Sequence, residues 1–300
     1  MQDSQRSLLG ELKFQLKFGS MTHRLLLINL FVFIVIHLIN TIIRLSLLEE
    51  PFFLQFNRNI FCLETELSQF LLKPWGLFTS IFSHIEFLHF VQNMLVLYFI
   101  GKIYEGLFDK RKLWLTYLFG GIFGGIFELV AHLLFPALQE NSTVIIGASG
   151  SIMAILSALA FYSPNLKLML FGVLPVPIFV IAVLFWLIDL VGLSTGDDHI
   201  AHFSHLGGAM FGFWSVQRLN SPKNILIMIQ RWWNSFKQLF KSNPEKSGRK
   251  STMKTDEDYA YERRKKQERT DKILDKIAKS GYDSLTVEEK DFLFNQSKNG

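Results

Sequence analysis

Hydrophobic positions in this chain come in long blocks separated by short polar stretches, not in the short periods of a soluble fold. Six apolar runs are long enough to read as membrane-crossing helices, at approximately 25–46, 77–100, 113–135, 146–162, 167–191 and 201–219. The fourth and sixth are short and rich in Gly, Ala and Ser, as expected at a bundle centre where close backbone packing replaces lipid contact. The third carries Gly120-x-x-x-Gly124 and Gly121-x-x-x-Gly125, a second close-approach face. Leu174-Pro175-Val176-Pro177 predicts a break or a static bend in the fifth. The pattern predicts an all-α membrane protein: an N-terminal arm at 1–21, then a six-helix body at 22–219. Beyond it, 220–242 mixes Trp, Phe and Ile with Lys and Arg, which predicts an interfacial amphipathic helix. Residues 243–268 read as a charged linker, and 269–300 as a small helical element, with Ser284-Leu285-Thr286-Val287-Glu288-Glu289 offering a helix cap.

Composition agrees, since 49% of residues are hydrophobic and the mean hydropathy is positive. Lys and Arg set the orientation. They crowd the N-terminal arm, the loop after the second run and the C-terminal tail, and are missing from 136–145 and 192–200. Both termini are therefore expected in the cytoplasm, with a basic C-terminal tail. The net charge of +5 points to anionic lipid headgroups as a partner; no nucleic-acid motif accompanies it. Cys62 is the only cysteine, so an intramolecular disulfide is excluded and stability must come from helix packing. The first 24 residues are mixed and basic and do not read as a removable signal peptide. With no transit-peptide character either, the expected location is a bacterial plasma membrane.

Candidate chemistry lies in three of the runs. Ser149 sits in Gly147-Ala148-Ser149-Gly150, where a helix start would offer free N–H groups and a positive dipole end. Taken alone, this is also an ordinary small-residue helix start. His205 has Gly208 and Gly212 at i+3 and i+7, giving a flat face against which Gly150, Ser151 and Ala154 could pack. Such packing would bring Ser149 to His205, a nucleophile to its base. Glu128 and Asp189, the deepest acids, sit in neither motif, so a Ser–His dyad is expected. His89 and Asn93, at i and i+4, could supply oxyanion donors or simply tie neighbouring helices together. His84 reads as a loop anchor or a supporting group. A metal site built from His199, His202 and His205 with Asp197 and Asp198 is the competing arrangement, and it leaves Ser149 without a role.

In this order, Lys73-Pro74-Trp75, His84-x4-His89-x3-Asn93, Gly147-Ala148-Ser149-Gly150 and Ala201-His202-Phe203-Ser204-His205-Leu206-Gly207-Gly208 resemble the rhomboid intramembrane serine proteases over about 70–215. The resemblance implies a six-helix rhomboid-like bundle with no cofactor and no bound metal. It implies Ser149 as nucleophile and His205 as base. The oxyanion site would be His89, Asn93 and the Ser149 backbone N–H, with Gly147 shaping the turn and Gly150, Gly208 and Gly212 in support. It further implies cleavage of transmembrane protein substrates near the outer membrane face. A rhomboid-like protein that binds membrane clients without cleaving them is the alternative. Two positions depart from the family's common pattern. Gly76 stands where Arg often follows the Trp, which bears on loop anchoring. Met153 stands where an aromatic often supports the histidine ring.

Overall fold

The computed structural model of the chain describes residues 19–46, 50–139, 144–170, 173–195, 200–219, 221–239 and 256–297. It divides into two compact units, Met1–Leu239 and Phe240–Gly300.

The first unit opens with α1 (Met21–Leu45). Ser20 accepts from His23 N at 3.3 Å, and the Glu105 carboxylate accepts from the N–H groups of Met21 and Thr22 at 2.8 and 3.1 Å. The orphan donors of this helix start are thus capped from another helix. Leu25, Asn29, Ile36, Asn40 and Ile43 fall on one buried face, while Phe31, Ile34, Leu38 and Ile42 are exposed, as a lipid-facing side requires. After α2 (Glu50–Phe61) come β1 (Leu63–Glu64), α3 (Leu67–Leu72), α4 (Gly76–Thr79) and a 3-10 turn at Ser80–Phe82. Next are α5 (Phe87–Leu107), α6 (Lys110–Leu134), the short α7 (Pro136–Gln139), β2 (Val144–Ile145) and α8 (Ser149–Tyr162). The unit continues with β3 (Lys167–Leu170), β4 (Leu174–Pro177), α9 (Ile178–Thr195), α10 (His202–Val216) and α11 (Ile225–Leu239).

Among the described residues α1, α5 and α6 are long and apolar enough to cross a membrane, and α8 and α9 are shorter apolar helices. Two of the expected runs are not helical throughout. The second run is broken: α4 ends at Thr79, the 3-10 turn covers Ser80–Phe82, and 83–86 lie outside any helix before α5 begins at Phe87. The fifth holds a hairpin where a bent helix was expected: β3 pairs antiparallel with β4, and Lys167 lies opposite Pro177 and Met169 opposite Pro175. Two prolines two residues apart cannot feed a helical ladder, so the helix starts immediately after them. β1 pairs with β2, Leu63 opposite Ile145 and Glu64 opposite Val144, tying the first loop to the segment that leads into α8.

The core is built around α8, which is buried from Gly150 through Ala160. α6 and α10 pack on it and on each other through small residues. A Cβ on Gly120 would strike Ala154, one on Gly124 would strike Ser204, and one on Gly212 would strike the Ala154 carbonyl. Polar threads cross this packing. Asn29 donates to Tyr117 Oη at 2.9 Å, and Tyr117 donates to the Ile81 carbonyl at 3.1 Å.

The first loop is anchored without an arginine at position 76. Lys73 Nζ donates to Asn59 Oδ1 at 2.7 Å, Trp75 Nε1 donates to the Asn59 carbonyl at 3.0 Å, and Arg58 Nε donates to the buried Glu64 carboxylate at 2.7 Å. Gly76 itself is pressed against the Cys62 carbonyl, so a side chain there would have to displace backbone. Cys62 is buried and free, and burial pushes its thiol up to about 12.

α11 covers most of the stretch read as an interfacial helix. It buries Leu226 and leaves Met228, Trp232, Trp233 and Phe236 exposed. Asn224 fixes its start, donating to the Ser215 and Gln217 carbonyls at 2.9 and 2.8 Å and accepting from Leu226 N at 3.1 Å.

In the second unit α12 (Asp256–Ser280) begins inside the expected charged linker, and α13 (Val287–Ser297) follows a turn at Gly281. The cap of α13 is Thr286. Its hydroxyl accepts from Glu289 N at 3.3 Å while Glu289 accepts from Thr286 N at 2.8 Å, a reciprocal capping box. Lys276 bridges the two helices through Glu289 at 2.9 Å. Residues 240–255 lie outside the described residues.

Candidate active site

The turn into α8 needs glycine at 147, where φ is +124° and a Cβ would lie 2.8 Å from His89 Cε1. Two hydrogen bonds pin it. Gly147 N donates to the Ser80 carbonyl at 3.0 Å, and Ala148 N donates to His84 Nε2 at 3.3 Å. His84 is therefore an anchor of the serine turn. Ser149 follows as the first residue of α8, in the turn whose N–H groups have no intrahelical acceptor.

α10 reaches Ser149 because nothing projects between the two helices. A Cβ on Gly208 would overlap the Gly150 carbonyl, and one on Gly150 would meet Ser204 Oγ at 3.0 Å. The result is a contact of 2.8 Å between His205 Nε2 and Ser149 Oγ. Both residues are partly exposed, so the pair is reachable from outside the core. Glu128 of α6 holds the start of α10, accepting from Ser204 N at 2.8 Å, and its other oxygen lies 3.5 Å from His132 Nδ1.

The expectation that no acid approaches His205 is wrong. Asp189 Oδ1 of α9 lies 2.7 Å from His205 Nδ1 and 2.9 Å from His202 Nδ1. The two imidazoles stand at right angles with centroids 6.4 Å apart. Local patterns hide this arrangement, because Asp189 stands on a different helix from both histidines. The available signal was an ionisable residue inside an apolar run, which is a site candidate by default. Glu128 carried the same signal.

His89 and Asn93 lie one turn apart on α5. The His89 ring covers Gly147, and its centroid is 5.5 Å from that of His84. Asn93 is buried and donates one N–H to the His89 carbonyl of its own helix at 3.0 Å, which leaves a second N–H. Met153 is buried in the main core, and the described ring neighbour of His205 is His202.

The competing metal arrangement takes a different form. His199, Asp197 and Asp198 lie outside the described residues. Asp189, His202 and His205 place ligand atoms within 4.8 Å of one another, enough for a three-ligand set. In that set both Nδ1 atoms already face one carboxylate oxygen at hydrogen-bond distance, and His205 Nε2 is turned to Ser149.

Comparison with known proteins places the site in a family. A model described as the Rhomboid domain matches residues 72–219, and a family of unknown function, DUF6576, matches 254–299. RHOMBOID-like protein 12, mitochondrial, of Arabidopsis thaliana is 33% identical over 143 residues, covering 44% of this chain and 43% of its own. Presenilin-associated rhomboid-like protein A, mitochondrial, of Danio rerio is 32% identical over 146 residues, covering 46% and 35%. Rhomboid protease GluP of Bacillus subtilis is 29% identical over 149 residues, covering 50% and 27%. The alignments thus span less than half the length of each of these relatives. With mitochondrial proteins among them, they lend no support to the bacterial plasma membrane expected from the sequence. The domain and the apolar helices make this an integral membrane protein. The matched segment is the one that carries Ser149, His205 and their neighbours, and through it the chain belongs to the rhomboid family.

Proposed function

We propose that the protein is an intramembrane serine endopeptidase that cleaves transmembrane protein substrates near the outer membrane face. The observation that carries this reading is the 2.8 Å contact between His205 Nε2 and Ser149 Oγ at the start of α8. Ser149 Oγ attacks the scissile carbonyl carbon as its proton passes to His205 Nε2. The oxyanion forms beside the helix start and takes hydrogen bonds from the Ser149 N–H and from side-chain donors of His89 and Asn93, a role that the His89 ring over Gly147 supports. Collapse breaks the C–N bond, His205 returns the proton to the leaving amine, and the acyl chain remains as an ester on Ser149. Water, deprotonated by His205, then hydrolyses the ester. Partial exposure of Ser149 and His205 supports water access. The distribution of Lys and Arg supports cytoplasmic termini and an outward-facing entry to α8.

Two readings compete: client binding without cleavage, and a metal-dependent hydrolase built on Asp189, His202 and His205, which their convergence favours. Proteoliposomes containing the full chain and a fluorogenic transmembrane peptide separate all three. The protease reading expects cleavage that is lost in Ser149→Ala and His205→Ala and insensitive to chelators. Cleavage that survives Ser149→Ala, or that stops with a chelator and returns with zinc, contradicts it; no cleavage by folded wild type favours client binding.

A further inference from the structure

Asp189 is the only charged residue of α9, in a stretch whose flanking Ile188, Leu190 and Val191 face outward. The residue is 3% exposed. A carboxylate held inside an apolar helix is costly unless its oxygens are bonded, so its partners carry its explanation. Those partners are His202 and His205, both through Nδ1 and both on Oδ1.

An ionised carboxylate can only accept, so each Nδ1 facing it carries the hydrogen. With Asp189 as the ionised acceptor, His205 takes the tautomer with the hydrogen on Nδ1, and Nε2, 2.8 Å from Ser149 Oγ, is left as the ring's acceptor. The opposite tautomer would point an N–H at the serine and leave Nδ1 facing a carboxylate lone pair. Asp189 Oδ2 has no hydrogen-bond partner among the described residues. The described donors thus converge on one oxygen of the carboxylate, which faces the imidazolium that forms when His205 takes the serine proton.

We propose that Asp189 is a positioning residue of the catalytic unit. It holds His205 in the tautomer that accepts from Ser149 and stabilises the protonated ring, making a Ser149–His205–Asp189 relay in place of a simple dyad. His202 shares the same oxygen and helps retain the carboxylate at this depth. The inference rests on the protease reading above. That reading is controlled separately by Ser149→Ala, which must abolish turnover whatever Asp189 does.

The test uses the full chain in detergent with a transmembrane peptide substrate and a fluorophosphonate probe. In Asp189→Asn the labelling rate and kcat are expected to fall about 10²–10⁴-fold, with KM within twofold and the thermal transition retained. A folded Asp189→Asn protein with kcat within threefold of wild type overturns the proposal, as does a change confined to KM. A second measurement needs no variant to fold. In histidine-¹⁵N-labelled wild type at neutral pH, the ring nitrogens of His205 should show a protonated Nδ1 and an unprotonated Nε2. A protonated Nε2 with a bare Nδ1 overturns the proposal even if the enzyme is active.

Discussion

Gly208→Ala adds one methyl at the closest crossing of α8 and α10. Its Cβ would overlap the Gly150 carbonyl oxygen and lie 2.9 Å from the carbonyl carbon and 3.3 Å from Gly150 Cα. Carbon atoms in contact settle at about 3.5–4.0 Å, so the helices must part locally by roughly 0.5–1 Å. Backbone carbonyls cannot swing aside as a flexible side chain would, so the opening passes to residues on the same turn. The 2.8 Å contact between Ser149 and His205 would then exceed the range of a hydrogen bond. Misplacement on that scale costs about 10²-fold in rate, and overpacking costs about 1–3 kcal/mol in stability. Gly106→Ala on α5 is the matched control, because nothing lies within 4 Å of its added Cβ. Both variants would be assayed for kcat on a transmembrane peptide and for thermal unfolding in the same detergent. The expected result is a kcat lowered about 10²-fold in Gly208→Ala and unchanged in Gly106→Ala. Turnover within twofold of wild type in a folded Gly208→Ala protein would refute the packing argument.

Other consequences are equally specific. Glu128→Ala removes the acceptor for Ser204 N at the start of α10, so stability should fall by about 1–3 kcal/mol in chemical unfolding. Glu128→Gln keeps an oxygen there and should lose less; equal losses would mean the bond is not what matters. Gly76→Arg forces a side chain into the Cys62 carbonyl, so thermal stability should drop and proteolysis between α2 and α4 should speed up, and an unchanged digestion pattern would count against this. Burial pushes the Cys62 thiol up to about 12, so near pH 8 only about one molecule in 10⁴ carries the reactive thiolate. Maleimide should label the denatured protein fully and the native protein slowly, and fast native labelling at pH 8 would contradict the described burial.

The serine and histidine motifs were legible because packing imposes a local signature on them. Gly147 must adopt a positive φ, and Gly150, Gly208 and Gly212 must let backbones touch, so each leaves a glycine at fixed spacing from the residue it serves. Asp189 left no such trace. Its meaning depends on how α9 leans on α10, and the sequence between them carries no spacing rule. The β1–β2 pairing is hidden for the same reason, since Leu63 and Ile145 are brought together only by the bundle. Hydropathy also over-extended two helices. Leu174, Val176 and the residues around Ile81 are as apolar as helical neighbours, yet prolines in one place and a non-helical Ser83–Glu86 stretch in the other remove them from the helix. The Thr286–Glu289 capping box, wholly local, could be read directly in the sequence.

The central claim is that Ser149 is a nucleophile activated by His205. Its most direct test is fluorophosphonate labelling of the folded wild-type protein, followed by peptide mass spectrometry to locate the adduct. The account predicts a single phosphonylated residue, Ser149, with no adduct in Ser149→Ala or His205→Ala and retained labelling in His202→Ala. An adduct on Ser151 or Ser204, or no adduct on folded wild type, would contradict it.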